Sequence, residues 1–554
     1  MNKDDNLILN KFFKSATKNH LENKLKAAED LYNKVLEIDP NNTKALNNLG
    51  ALYVTLGDTE KEKMHYEKAI IVSPLYAEAY NNLGAIFSRS QDFQKAIKYF
   101  KKAIEIKPKY YNAHINLGIV FTNLKENQNA ESCFEKAIES DQNNPFGYFC
   151  LANVIKEKDG QLEKAIKYFE KAIEINPKYI EAEVNLGALF YNTGDHEKAK
   201  NHYEKAIQIN PNSVLAHSNI SNIYIARLDN FEKAINASKK ALKIDQASRT
   251  LKSGITFFQL KHHVEQAKYL GSKNYQIEGL DKFQKLGDDI LSLKENIPTN
   301  DTPNKKILLN AEELNTLIPY LKSDQVYQTK NISGSCINPN KNWLDVEDEY
   351  LNSTNQIIYI DDFLSDEAII ELREFCLISK VWNREYPNKY LGAFSDTGFI
   401  SPIHLQIAVD LKKNLPKLFG PHKLTKFWAF KYDSTLGKGI NIHADFATHN
   451  LNFWITPDEF NNKKNSGGLK VYDAAAPDNW SFSDYNNNSL KIYKFLKDTN
   501  AKCTNIPYKF NRAVLFNSSY FHETDEIDFK DEYAGRRINN TYLFGNRSIK
   551  KKIK

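Results

Sequence analysis

The chain has 554 residues, 41% hydrophobic and 26% charged, with 75 Lys and Arg against 69 Asp and Glu for a net charge of +6. That is ordinary globular composition, long enough for two or three domains and for sizeable cores without disulfide staples. The small, interspersed basic excess gives no footprint for nucleic acid, five irregularly spaced cysteines without a C-x-x-C point to a reduced setting, and no stretch approaches the roughly 18 apolar residues of a membrane span.

Residues 1–10 carry acids and no long apolar run, so a cytoplasmic protein without a signal peptide is the expectation. From about residue 9 to 248 self-similarity dominates. Leu49-Gly50, Leu83-Gly84 and Leu117-Gly118 recur every 34 residues, and the series continues at Leu151-Ala152, Leu186-Gly187 and Ile220-Ser221. A bulky residue follows three positions later (Tyr53, Phe87, Phe121, Ile155, Phe190, Tyr224), and most units close on a proline such as Pro40, Pro74 or Pro108. Small residues let two helices approach closely, and proline ends the second one. The period and its Gly, Ala, aromatic and Pro positions resemble the tetratricopeptide repeat. The resemblance implies an all-α solenoid of about seven repeats over 1–248, with degenerate end units and a groove that receives a protein or peptide. His20-x-Glu22, His65-x-Glu67, His202-x-Glu204 and His263-x-Glu265 are expected to be ordinary helix surface. On a helix, residues two apart point about 200° apart and cannot share an ion.

Helical patterning continues over 249–296, read as capping helices. Residues 297–355 read as linker and loop, with Ile297-Pro298-Thr299-Asn300-Asp301-Thr302-Pro303-Asn304 as the linker, one short helix at 311–322, and a polar, turn-rich 323–350. Residues 549–554 form a short basic tail.

At about 356 the pattern changes to short strands. Ile357-Ile358-Tyr359-Ile360 precedes a helix at 365–379, and strands are expected at 427–432, 440–445, 449–456, 468–472, 513–517 and 536–545. Many short strands and few helices suggest a sandwich or barrel-like double sheet. On a strand, Asn441, His443 and Asp445 share one face while Ile442 and Ala444 turn away. His522 follows the apolar strand 513–517 in a short turn, 77 residues past Asp445, and Arg537 comes 15 residues later. An H-x-D is weak by itself among 13 histidines. Its place on an expected strand, the later His and the Arg strengthen it. Arg536 is the rival of Arg537, but adjacent strand residues face opposite ways, and Arg537 shares its face with Asn539 and Thr541. His404, His422 and His449 are expected to be structural or peripheral.

Residues 356–548 resemble the prolyl 4-hydroxylase-like group of iron(II)- and 2-oxoglutarate-dependent dioxygenases, whose pattern is H-x-D, a distal His and a following basic residue. Three further features fit: Tyr432 ahead of the loop into H-x-D, the turn Asn465-Ser466-Gly467-Gly468-Leu469, and Phe516 before His522. The resemblance implies a double-stranded β-helix (jelly-roll, cupin-like) domain in which His443, Asp445 and His522 are the metal ligands and catalytic centre. It implies Fe(II), 2-oxoglutarate and O2 as cofactor and cosubstrates, with Arg537 holding the distal carboxylate through a bidentate fork and Tyr432 adding a hydrogen bond. Asn539 stands where the group often has Ser or Thr. Substrate choice is assigned to loops 391–399 and 473–488. The other reading is a tetratricopeptide interaction scaffold with an inactive cupin-like domain.

Overall fold

The computed structural model describes residues 3–156, 158, 160–248, 254–293, 296–298, 305–323, 325–386, 390–433 and 439–546. Most of the expected linker and the basic tail lie outside these residues. The chain divides into two compact units, Met1–His202 and Tyr203–Lys554.

The first unit is helical. It runs α1 (Lys3–Leu21), α2 (Leu25–Ile38), α3 (Thr43–Leu56), α4 (Thr59–Val72), α5 (Ala77–Arg89), α6 (Phe93–Ile106), α7 (Tyr111–Asn123), α8 (Asn127–Ser140), α9 (Pro145–Ile155), α10 (Leu162–Ile175), α11 (Ile180–Asn192) and the start of α12 (His196–Ile209). Asp58 and Asp92, in the turns inside two pairs, cap the second helix by accepting from the Lys61 and Lys95 amides, which satisfies donors a helix start leaves open. The 34-residue glycine has a steric cause. A Cβ on Gly84 would lie 2.6 Å from Phe100 Cε1, and one on Gly118 2.5 Å from Phe134 Cε1, so the first helix seats directly on a ring of the second.

Two of the four His-x-Glu histidines are not helix surface. His65 is buried and stacks on Tyr53, and His202 stacks on Phe190. His202 Nδ1 pairs with Glu183 at 2.6 Å. Tyr99 occupies the same repeat position and stacks on Phe87. The position packs against the bulky residue three after the glycine position, and an aromatic or imidazole ring fills it equally well.

The second unit contains α13 (Val214–Arg227) and α14 (Phe231–Ser248), then β1 (Ile255–Thr256), α15 (Phe257–Ser272), α16 (Leu280–Ser292), β2 (Lys306–Ile307) and α17 (Ala311–Leu321). It continues with α18 (Trp343–Asn352), β3 (Ile357–Ile360), α19 (Asp366–Ile378), β4 (Arg384–Tyr386), β5 (Tyr390–Phe394), α20 (Pro402–Asn414), β6 (Leu424–Tyr432), β7 (His449–Trp454) and β8 (Leu469–Ala475). It ends with α21 (Phe482–Asn486), α22 (Ser489–Asp498), β9 (Cys503–Ile506), β10 (Ala513–Asn517), β11 (Tyr520–Thr524) and β12 (Ile538–Phe544). β1 and β2 pair with each other, and the other strands form an antiparallel seven-stranded sheet, β3-β10-β7-β12-β6-β5-β4, and an antiparallel three-stranded sheet, β11-β8-β9.

Strand alternation divides the large sheet's side chains into two layers. Phe427, Ala429, Leu451, Phe453, Tyr542 and Phe544 form one core with α19, α20 and the apolar faces of α13 and α14. Trp428, Phe430, Tyr432, Trp454, Val514 and Phe516 form the other with Leu469 and Val471 of the small sheet. The site lies in this second layer.

Three local expectations need correction. Residues 440–445 make no strand, only a single bridge between His443 and His522. Their amides go to different partners: His443 to His522, Ala444 to Tyr485 and Asp445 to Ser518, so no ladder propagates. His522 is not in a turn but inside β11, three residues after the turn at 518–519. Within the expected polar loop 323–350 the helix α18 starts, burying Trp343, Glu347 and Tyr350. Glu347 hides the stripe from a polarity reading, since its carboxylate is buried to accept the Lys417 and Leu418 amides.

Candidate metal and anion site

The structure brings His443, Asp445 and His522 together, with one ligand atom from each lying within 4.8 Å of the others. His443 and His522 exchange both backbone hydrogen bonds, at 3.0 and 2.8 Å, which sets their rings side by side with centroids 4.3 Å apart. Ile442 and Ala444 turn away into an apolar cluster with Ile492, Leu496 and Phe521, so alternation aims the intervening polar side chains at the cavity.

Backbone carbonyls orient both imidazoles. Asn441 O lies 2.8 Å from His443 Nδ1, and Tyr520 O lies 3.1 Å from His522 Nδ1. A carbonyl only accepts, so each Nδ1 carries the hydrogen and each Nε2 presents a lone pair. Those Nε2 atoms face the carboxylate, His443 at 4.0 Å from Oδ1 and His522 at 3.5 Å from Oδ2. Burial raises the Asp445 pKa, and burial followed by the neighbouring His443 holds His522 well below the usual imidazole range. Two imidazole nitrogens and one buried carboxylate make a facial donor set with open positions on a bound ion.

The triad lines a small cavity of about 20 Å³ whose wall also carries Arg537, Asn539 and Thr541. Arg537 is 1% exposed, yet no carboxylate pairs with it among the described residues. Aromatic rings surround it instead, with Tyr432 4.9 Å, Trp454 5.6 Å and Tyr508 6.0 Å from the guanidinium carbon. Nε and one N–H of Nη2 donate to the carbonyls of Gly467 and Gly468, which takes the side-on fork and leaves the end-on pair, Nη1 with the second N–H of Nη2. Gly468 has no room for a side chain, since a Cβ would lie 1.9 Å from Ile506 O. Arg537 Nη1 and Tyr432 Oη are buried without hydrogen-bond partners among the described residues. A buried cation with no counter-ion is costly, and two unmet donors beside it fit one anionic group.

Arg536 faces the other way. It pairs with Asp433 at 3.0 Å and with Glu265 of α15. Asn539 keeps off the anion position by donating to Asn452 at 2.9 Å. Among the other histidines, His404 is buried, bonds Ser401 and packs on Phe399 and Phe427. His449 sits among Tyr350, Phe419 and His422.

Sequence reasoning missed Asn450 and Asn452. Asn450 donates to Asp445 Oδ2 at 2.6 Å, and Asn452 donates to Asn450 at 2.5 Å. The available signal is two asparagines two apart, on one face of the otherwise apolar strand β7. A wider cavity of about 430 Å³ is also lined by His443 and Asp445, with Tyr390, Phe394, Trp428, Phe430 and Phe482 in its wall. Phe394 and Phe482 come from the two segments assigned to substrate choice, although the structure puts them on β5 and α21 rather than in loops.

Family models described as tetratricopeptide repeat match residues 77–110 and 180–213, 31–64 and 133–167, and 111–144 and 215–248; one described as TPR repeat matches 157–194. No curated protein matches the chain. Similar solved structures include YrrB, titled a TPR protein with an unusual peptide-binding site, at 24% identity over 33% of this chain and 95% of that one, TM-score 0.28. The MamA protein is 28% identical over 31% of this chain and 93% of its own, TM-score 0.27. The pilF protein of Pseudomonas aeruginosa is 19% identical over 39% and 97%, TM-score 0.35. The N-terminal region carries tetratricopeptide repeats. No helix among the described residues is long and apolar enough to cross a membrane.

Proposed function

We propose that the chain is an Fe(II)- and 2-oxoglutarate-dependent dioxygenase of the prolyl 4-hydroxylase-like kind. In this reading the two facing antiparallel sheets are a double-stranded β-helix, and the repeat array recruits a protein or peptide substrate. The observation that carries the proposal is the pairing of two features in one cavity. Two Nε2 atoms, turned inward by backbone carbonyls, meet the Asp445 carboxylate, and a buried guanidinium that no carboxylate pairs with among the described residues lies on the same wall.

His443, Asp445 and His522 would hold the iron, which supplies activation of O2 for attack on a C–H bond. The Nη1 end of Arg537 and Tyr432 Oη would take the far carboxylate of 2-oxoglutarate. The rings of Trp454 and Tyr508 and the closed floor exclude water, which strengthens that contact. The wider aromatic cavity would seat the group to be oxidised. In the net reaction one oxygen atom of O2 enters the substrate C–H bond, the other enters succinate, and carbon dioxide leaves.

The test is anaerobic Fe(II) titration followed by 2-oxoglutarate. A weak visible charge-transfer band is expected in the wild type and not in His443→Ala. No band in the wild type, or its survival in the variant, refutes the proposal and leaves an interaction scaffold. Succinate release with a peptide library, against Asp445→Ala, then identifies the substrate.

A further inference from the structure

A chain of buried amides runs from the arginine-bearing strand to the carboxylate of the triad, and the proposed chemistry does not use it. Asn539 and Thr541 of β12 donate to Asn452 Oδ1 at 2.9 and 2.7 Å. Asn452 donates to Asn450 Oδ1, and Asn450 donates to Asp445 Oδ2 at 2.6 Å. The direction is forced from the carboxylate end. An ionised carboxylate only accepts, so Asn450 must turn its NH2 to Asp445 and its oxygen to Asn452, and the same logic passes to the next link. Asn450, Asn452, Asn539 and Thr541 are each at most 6% exposed. In such a dry place each link polarises the next, and an unmet amide would be costly.

The chain also accounts for Asn539 standing where the resembled group often has Ser or Thr. Its amide heads the relay and has no hydrogen bond to spare for an anion: Nδ2 reaches both Asn452 and Thr541. At the other end, Asn450 occupies Oδ2 of Asp445 and leaves Oδ1, which faces His443 Nε2.

We infer that Asn450, backed by Asn452 and the Asn539–Thr541 pair, is a positioning residue that fixes the rotamer of Asp445 and directs one carboxylate oxygen to the metal. The inference rests on the metal-site reading above. Partners of this kind typically change metal affinity about 10–100-fold when removed.

The experiment uses Co(II) as a spectroscopic probe on the full chain, with the visible d–d band and the binding isotherm as readouts and the thermal midpoint of the metal-free protein as the folding control. Asn450→Leu, close in volume, should bind Co(II) about 10–100-fold more weakly with an altered band. Asn452→Leu should shift affinity in the same direction by less. Should Asn450→Leu fail to fold, Asn452→Leu decides the question. Wild-type-like affinity and spectrum in the folded variants overturn the inference while the metal reading stands. No saturable binding in the wild type, or binding that survives His443→Ala, overturns both.

Discussion

Replacing each of two adjacent arginines by methionine should give opposite phenotypes. Arg536 is tied to Asp433 and Glu265, and Arg537 has no acid partner among the described residues. Removing one member of a buried ion pair costs about 3–5 kcal/mol. The lower end applies to Arg536→Met, because Lys261 still reaches Asp433 at 3.0 Å and Glu265 at 3.7 Å. The second unit, Tyr203–Lys554, has an unfolding entropy of about 0.7 kcal/mol/K at the usual per-residue value. A loss of about 3 kcal/mol therefore lowers its midpoint by roughly 4 °C. Ligand at a hundred times its Kd contributes about 2.7 kcal/mol, again roughly 4 °C, and Arg536→Met should keep that shift. Arg537→Met should lose a charge-assisted hydrogen bond of about 1.5–3 kcal/mol, weakening the anion about 10–150-fold. At the same ligand concentration its shift falls to about 2 °C or less. All five tryptophans lie between Trp343 and Trp480, so fluorescence-detected melting with Mn(II), with and without 2-oxoglutarate, reports the second unit alone. If Arg537→Met keeps the full ligand shift, or Arg536→Met abolishes it without lowering the metal-free midpoint, the roles assigned to the two arginines are wrong.

In the repeats, Gly84→Ala drives a methyl into the Phe100 ring and should cost about 1–3 kcal/mol of overpacking. The first unit has no tryptophan, so far-UV circular dichroism is the measurement, and an unchanged helical melt would contradict the close-approach account. A second expectation concerns pH. Burial pushes His404 down to about 3, and burial then His422 push His449 down to about 4. Below the unfolded value near 6.5 the unfolded chain binds protons that the fold refuses, so stability is complete above about pH 6.5 and falls as pH drops toward 4. The slope is up to about 1.4 kcal/mol per pH unit for each group. The urea midpoint should fall between pH 7 and 5, and His404→Phe should flatten that dependence; an equal slope in the variant would exclude His404 as a source.

What the sequence made legible follows from how often a pattern is written. The glycine-against-ring contact recurs down the array, so its spacing stands out. Alternation around His443 is written once but cleanly, with Ile442 and Ala444 inward, and the structure keeps those faces although no strand forms. Which side of the Arg537 guanidinium is already taken was not legible. Whether a donor is free depends on carbonyls about 70 residues away, at Gly467 and Gly468, which no local pattern encodes. Asn450 and Asn452 were overlooked for a related reason. A buried asparagine reads as a flaw in an apolar strand until its partners are known.

The end of the repeat series shows how packing can depart from periodicity. Tyr66, Phe100, Phe134, Phe169 and Tyr203 occupy one position in successive units. From Phe100 onward each ring stands four residues after an alanine: Ala96, Ala130, Ala165 and Ala199 in turn. After Ala234 the same step reaches Ser238. It is fully buried, and its hydroxyl donates to Ser395 O and accepts from the Gly398 amide, both at 2.7 Å. Gly398 has φ +99°, and a Cβ there would lie 2.4 Å from Leu242 of α14. A ring at 238 would fill the space those bonds need. The periodicity runs to 248, but α13 and α14 share a core with Phe399, Phe427 and Leu372 and belong to the compact unit that starts at Tyr203. The last repeat keeps the helical spacing of the array and exchanges its aromatic contact for two hydrogen bonds to the loop after β5, the strand whose Tyr390 and Phe394 line the wider cavity beside the triad.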